Sequence, residues 1–232
     1  MLEFNKLSII IKKDNRPIIK DFTFVLHPKE KMAIIGEEGN GKSTLLKLVT
    51  DQKTVMEYAT ITGQVNTKGL HIGYLEQSLQ DKWKESSVID YFLKDNPDED
   101  VNFDNYNYLT DIYSLFAKFG LDDEMLEDDR KIKTLSGGER FIISLSLALG
   151  ISQSIAVNNN KNFSFFFIDE GFGSLSSTYL EKVLQAFNEL IALDFTIGFI
   201  SHVEKMQEFI DNKIFVTKES NDIGTVLSLR IS

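Results

Sequence analysis

There is no cysteine among the 232 residues of this chain, so neither a disulfide nor a thiolate metal site can exist. That composition fits a reducing compartment, and a cytoplasmic location is the expectation. No uncharged apolar run approaches the roughly 20 residues a membrane span needs, and the N-terminus lacks the charged-then-apolar pattern of a secretory signal. The chain is therefore expected to be soluble and to serve a membrane only through another chain. A basic block is missing as well. With 25 Lys and Arg against 35 Asp and Glu, the formal net charge is −10. That balance favours solubility and argues against this chain alone gripping DNA or RNA, which draws on clustered Lys and Arg. No internal repeat is visible, and no heptad seam runs between residues 78 and 133, so no coiled coil is encoded there. What the chain does have is 42% hydrophobic residues, enough for a core in one domain, or one domain with a subdomain.

One stretch organises the rest. The apolar run Met32-Ala33-Ile34-Ile35 leads into Gly36-Glu37-Glu38-Gly39-Asn40-Gly41-Lys42-Ser43, and then into Thr44-Leu45-Leu46-Lys47-Leu48-Val49. A buried strand, a glycine loop and a helix start are the context in which a phosphate-binding loop has physical meaning. Glycines bring backbone N–H groups close to a polyphosphate, and the helix N-terminus adds unpaired donors and partial positive charge. Lys42 can reach the β- and γ-phosphates, and the Ser43 hydroxyl can ligate Mg²⁺. An ordinary glycine turn is the competing reading. The flanking strand and helix favour a nucleoside triphosphate site.

Before this loop, Leu7 to Ile11 and Ile18 to Leu26 read as strands around a turn at Lys12 to Pro17, an antiparallel layer. After it, Ala59 to Val65 and Leu70 to Leu75 read as strands, with Gln77 just beyond. From about Ser78 to Lys133 the periodicity turns helical, with short candidates at Val88 to Leu93 and Tyr108 to Phe119 around an acidic loop. The apolar helix Phe141 to Leu149 follows, which Gly150 is placed to cap. Phe163 to Ile168 is a nearly continuous apolar run, as in a central parallel strand. A base-stacking platform is the weaker alternative for its three Phe. A helix over Thr178 to Leu193, a strand over Thr196 to Ile200, and a pair of strands over Lys213 to Thr217 and Thr225 to Ile231 complete the chain. Strands alternating with helices predict an α/β fold, a P-loop NTPase core. Its central sheet is mainly parallel, with an antiparallel layer and a helical subdomain near 78–150, all within one domain over 1–232.

Two further patterns carry chemistry. The apolar strand ends in Asp169-Glu170, at the edge where open α/β sheets place ligands. Asp169 can hold Mg²⁺, and Glu170 is positioned to deprotonate an attacking water. His202 follows a strand expected to neighbour that one, so its imidazole can reach a γ-phosphate oxygen. Ser136-Gly137-Gly138-Glu139 repeats the phosphate-loop logic, with a hydroxyl, two glycines and a helix N-terminus. It also reads as a capping box, with Ser136 at the cap and Glu139 at the third helical position. Both readings can hold together.

Together these motifs resemble an ATP-binding cassette (ABC) ATPase, in family order and over nearly the whole chain. Gly36 to Ser43 matches the Walker A loop, Gln77 the Q-loop and Leu135 to Glu139 the signature. Phe165 to Glu170 matches Walker B with its catalytic glutamate, and His202 the switch histidine. The resemblance implies ATP and Mg²⁺ as cofactors. Gly36, Gly39, Asn40, Gly41, Lys42, Ser43, Thr44 and Gln77 would contact the nucleotide, and Ser43, Gln77 and Asp169 the metal. It implies a head-to-tail dimer or paired cassette, in which Ser136, Gly137, Gly138 and Glu139 serve the partner's ATP in trans. Hydrolysis would use Glu170, His202 and Lys42.

The N-terminal part, including Ile72 to Gln77, is similar to the soluble, translation-associated ABC-F class. From the signature on, Phe141 to Gly150, Ile168 to Leu175 and Ile200 to Glu204 look like SbcC-type DNA-repair ATPase heads, which carry a long coiled coil that is not encoded here. A natural mosaic, an excised piece and an engineered hybrid all fit that pattern. A ribosome, a DNA-repair nuclease and a membrane transporter docked through the Gln77-to-Leu135 region are the partners these readings imply. A non-catalytic nucleotide-binding scaffold is a further class. Two departures stand out. Ser176 occupies the place where the family's D-loop carries Asp, which implies impaired turnover. The stretch Ile10 to Asp14 lacks the aromatic that transporter cassettes stack on adenine, which implies weaker nucleotide binding or looser base selectivity.

Overall fold

The computed structural model describes residues 1–76, 83–88, 90–91, 114, 117, 130–158, 165–192, 195–218 and 225–231. Half of the helix candidate at 88–93 and most of that at 108–119 lie outside these residues, and Gln77 lies outside them entirely. The chain divides into two units. The first comprises Met1–Tyr74, Ser164–Glu170 and Ile191–Ser232, and the second Leu75–Phe163 and Gly171–Leu190.

In the first unit, alternating burial along β1 (Leu2–Ile11) puts Leu2, Phe4, Leu7 and Ile9 inside. This strand pairs antiparallel with β2 (Arg16–Leu26) on one side and β4 (Ala59–Asn66) on the other. The layer is the expected antiparallel one, with β1 and β2 longer at their N-terminal ends than the apolar runs alone indicate. Among the described residues a second sheet has the order β5 (Ile72–Leu75), β6 (Phe165–Asp169), β7 (Thr196–Ile200), β3 (Lys31–Gly36), β8 (Asn212–Lys218), β9 (Thr225–Ile231). β6, β7, β3 and β8 run parallel, and β9 closes the sheet antiparallel to β8. Every residue of β6 and of β7 is buried, which is why both read as unbroken apolar runs rather than alternations. One buried cluster joins the two sheets. Leu45, Leu46, Leu48 and Val49 of helix α1 (Lys42–Thr50) pack in it beside Phe4, Phe22, Ile34, Phe165 and Ile214. A second short helix, α2 (Gln52–Tyr58), follows α1, started by the Asp51 carboxylate, which accepts from the Thr54 amide.

The second unit contains α3 (Gly137–Asn158) and most of α4 (Ser177–Ala192). α3 passes straight through Gly150, correcting the expectation that this glycine caps it. An isolated glycine costs a helix only about 1 kcal/mol, and the helix runs eight residues further. Phe141 of α3, Phe172 in a 3₁₀ turn and Phe187 of α4 form an edge-to-face chain, with centroids 5.1 and 6.3 Å apart.

Candidate active site

Parallel strands deliver their C-terminal ends to one edge of the sheet. Gly36 at the end of β3 lies beside Val216 of β8, while Ile34 stands opposite Ile200, and Ile200 opposite Asp169. The residues just past β3, β6 and β7 are thereby gathered at that edge, all within the first unit.

Lys42 opens α1 and is only 4% exposed. Its ammonium donates to the carbonyls of Gly36 and Glu37, both at 2.8 Å, and stands 3.9 Å from Oε1 of Glu170. Burial holds its pKa below the usual lysine value, against the upward pull of Glu170, Asp169 and Glu38. The helix is preceded by Gly41 at φ 87, which offers no side-chain cap, and its first turn has no acidic residue. This helix start is therefore arranged to receive an anion.

Asp169 is 3% exposed. Its Oδ1 accepts from the Ser43 hydroxyl at 3.0 Å and its Oδ2 from the Tyr74 hydroxyl at 2.8 Å. Burial pushes its pKa up, and the Tyr74 and Ser43 hydroxyls pull it back only in part. Glu170 adds to the rise and Lys47 opposes it. Glu170 comes next, with φ 62, followed by Gly171 at φ 99. Two successive left-handed residues turn the chain sharply off the strand, and a non-glycine residue held there is costly enough to mark a functional site. The turn sets Oε1 of Glu170 3.1 Å from Nε2 of His202. Lys42, Ser43, Asp169, Glu170 and His202 thus form one continuous set of contacts.

Two loop residues have structural work of their own. A Cβ on Gly36 would lie 2.3 Å from the Val216 carbonyl, so the approach of β8 demands glycine there. Asn40 is buried, and its side-chain amide donates to that same carbonyl at 3.4 Å. Gly39 takes a positive φ, and Thr44 sits half-buried in the first turn of α1. Tyr74 is a site residue to which the sequence motifs assign no role. A phenol in an otherwise apolar strand, three residues before Gln77, is the signal that points to it.

The signature residues belong to the second unit. Ser136 and Glu139 cap each other. The Glu139 carboxylate accepts from the Ser136 amide at 2.7 Å, and the Ser136 hydroxyl accepts from the Glu139 amide at 3.2 Å. Burial pushes the Glu139 pKa up, but the amide and hydroxyl of Ser136, with Arg130 at 3.7 Å, bring it below the usual range. Cβ atoms on Gly137 and Gly138 would stand 3.2 and 3.0 Å from Ser174, so close packing accounts for both glycines.

A phosphate-loop helix after β3, a histidine after the neighbouring β7 and a carboxylate pair ending β6, one strand further, define a P-loop nucleotide site on an α/β sheet. Residues 19–157 match the family described as ABC transporter, and the chain belongs to that family, as an ATP-binding cassette ATPase domain. It is 31% identical over 209 residues to the SbcC component of the SbcCD nuclease of Bacillus subtilis, a match covering 86% of this chain and 18% of that protein. The SbcC component of Lactococcus lactis is 38% identical over 115 residues, 47% of this chain and 11% of that one. The chain thus spans less than a fifth of these relatives. The Bacillus match covers most of the chain, so the likeness to SbcC is not confined to the part after the signature. Among solved structures, an ATP-binding subunit of an ABC transporter superposes with TM-score 0.71 at 19% identity, covering 93% of this chain and 85% of that one. A dimeric ATP-binding cassette in a post-hydrolysis state, bound to ADP and Pi, also gives 0.71 at 16% identity, covering 97% and 96%. These likenesses establish the fold. No helix among the described residues is long and apolar enough to cross a membrane.

Proposed function

We propose that the chain binds MgATP at the sheet edge described above and hydrolyses it against the signature of a second cassette. The observation that carries this reading is the Lys42, Ser43, Asp169, Glu170 and His202 set, held at 2.8 to 3.9 Å. Lys42 supplies an ammonium to the β- and γ-phosphates, and the amides of Gly39, Asn40, Gly41 and Thr44 line the loop around them. Ser43 and Asp169 offer hard oxygen donors suited to Mg²⁺. Ser43 and Asp169 supply only part of a Mg²⁺ shell, and the nucleotide's own oxygens and water would complete it, the usual arrangement for this ion. When bound, Mg²⁺ neutralises charge on the transferring phosphoryl group.

Glu170 accepts a proton from the attacking water. His202, bonded to Glu170, steadies that carboxylate and offers its ring to the γ-phosphate. Gln77 joins the site by resemblance, as a ligand to nucleotide and metal. The Ser136 hydroxyl, which caps its own helix at the Glu139 amide, would turn its proton from the Glu139 carboxylate to a partner's γ-phosphate when that ligand arrives. Gly137, Gly138 and Glu139 complete that surface. One cassette domain over 1–232, with a helical subdomain near 78–150, accommodates the arrangement.

The extended match to SbcC supports a cassette that drives a nuclease partner on DNA. ATP-dependent retention on DNA is the outcome expected of that reading. Sedimentation with ribosomes would favour the ABC-F class, and co-purification with a membrane chain a transporter. Glu170→Gln keeps the shape of the side chain but loses the base, so sedimentation should find it dimeric in saturating MgATP and monomeric without nucleotide. A monomer under both conditions contradicts the trans signature.

A further inference from the structure

Two hydroxyls hold the Asp169 carboxylate, and one of them comes from outside the phosphate loop. Ser43 donates to Oδ1 and Tyr74 to Oδ2. Tyr74 stands on β5, the strand beside β6. The start of β5 is tied to that of β6 by the bond from the Phe165 amide to the His71 carbonyl, 3.1 Å. Three residues along one strand and four along the other then bring Tyr74 level with Asp169. The phenol is therefore presented by a strand backbone and not by a loop that must first order itself.

A carboxylate only 3% exposed depends on protein partners for its lone pairs. With Oδ2 held by Tyr74, the plane of the carboxylate is fixed and Oδ1 is committed to the side where Ser43 lies. Without the phenol hydroxyl, the carboxylate keeps one anchor and is free to rotate about it.

We propose that Tyr74 is a positioning residue for the cation site, holding Oδ2 of Asp169 so that Oδ1 faces Ser43 and the divalent ion accompanying a bound nucleoside triphosphate. The inference rests on the reading of Lys42, Ser43 and Asp169 as the MgATP site. Tyr74 acts through Asp169 and touches no substrate. Partners in this outer layer typically govern about 10- to 100-fold of metal affinity, and Ser43 retains the other oxygen here, so the expected effect is about tenfold. Nucleotide binding without a cation should not change, because Lys42 and the loop amides carry it.

The test is Tyr74→Phe in the full chain, which removes one oxygen and keeps the ring. Mn²⁺ is titrated by electron paramagnetic resonance at fixed ATP, and ATP binding is measured separately in EDTA. The Mn²⁺ midpoint should rise about tenfold while ATP binding in EDTA stays at the wild-type value. The rate at saturating cation should remain near wild type, with the loss confined to the cation concentration required. In an Asp169→Asn background the same change should move the midpoint no further. A Tyr74→Phe midpoint equal to wild type, or an equal further loss in the Asp169→Asn background, overturns the proposal. A wild-type chain that takes up no Mn²⁺ with ATP contradicts the MgATP reading itself, and the proposal falls with it.

Discussion

Two helix starts in this chain, each preceded by glycine or opening on it, are finished in opposite ways. At α1 in the first unit, Gly41 provides no side-chain cap, and a buried ammonium stands among two carbonyls and a carboxylate. At α3 in the second unit, Ser136 and Glu139 satisfy each other, and the glycines between them press on Ser174. The first start carries a buried charge, a feature that costs stability and suits a charged ligand. The second is self-sufficient and would look ordinary in any protein. The pair shows why a phosphate site can be recognised in one chain by its buried charge, whereas a surface proposed to act on a partner's ligand need show none.

The largest effect that could break this comparison is in the second unit, at Gly171. A Cβ there would lie 2.4 Å from the Phe141 ring, on a residue with φ 99. Gly171→Ala should cost about 3 kcal/mol from overpacking and left-handed strain together. Urea unfolding measures it, and a loss below about 1 kcal/mol would mean that the turn after Glu170 is softer than its geometry implies.

Lys42→Met comes next and probes the first unit. Nucleotide-induced stabilisation, about 2.7 kcal/mol at a ligand concentration a hundredfold above Kd, should vanish. The ligand-free variant should be more stable than wild type near neutral pH. Burial lowers the Lys42 pKa in the folded chain, so its contribution is present above the ordinary lysine pKa and lost as pH falls through the lowered one. The advantage of Lys42→Met should therefore be largest at neutral pH and shrink toward alkaline pH. Thermal unfolding across that range checks the sign, and an advantage that grows toward alkaline pH would reverse it.

Ser136→Ala removes a helix cap and should cost about 1 kcal/mol, read by thermal unfolding. Phosphate release should fall further than that loss of stability explains. A stability loss alone would leave the signature as a cap and nothing more.

Ser176→Asp should move stability least. The Ser176 hydroxyl accepts from the Tyr179 amide at 3.3 Å, capping α4, and Asp caps about as well, so the change should stay within about 0.5 kcal/mol. If the missing carboxylate weakens coupling between paired sites, phosphate release should rise. An unchanged rate would clear Ser176 of that charge.

Much of the fold and the site is legible because the informative residues report local physics. Met32 to Ile35 and Phe165 to Ile168 are short apolar runs without alternation bounded by turn residues, the pattern of strands covered on both faces. Asp169 and His202 can be set on one edge because each closes such a strand. What escapes a sequence reading depends on pairing between distant strands. Tyr74 reaches Asp169 only through the pairing of β5 with β6, which no window of local sequence contains. Gly36 and Asn40 read as phosphate contacts, and their second task, the Val216 carbonyl, is set by β8, some 176 residues later. Gly150 misleads because a glycine after an apolar run also marks a helix end, whereas α3 continues through it.

The central claim is that the phosphate site of one copy works only against the signature of another. Phosphate release per chain, measured across protein concentrations at saturating MgATP, tests it most directly. The specific rate should climb with concentration, level off as dimers fill, and vanish in Glu170→Gln at every concentration. A specific rate that stays constant down to the most dilute sample, where only monomers sediment, would contradict it.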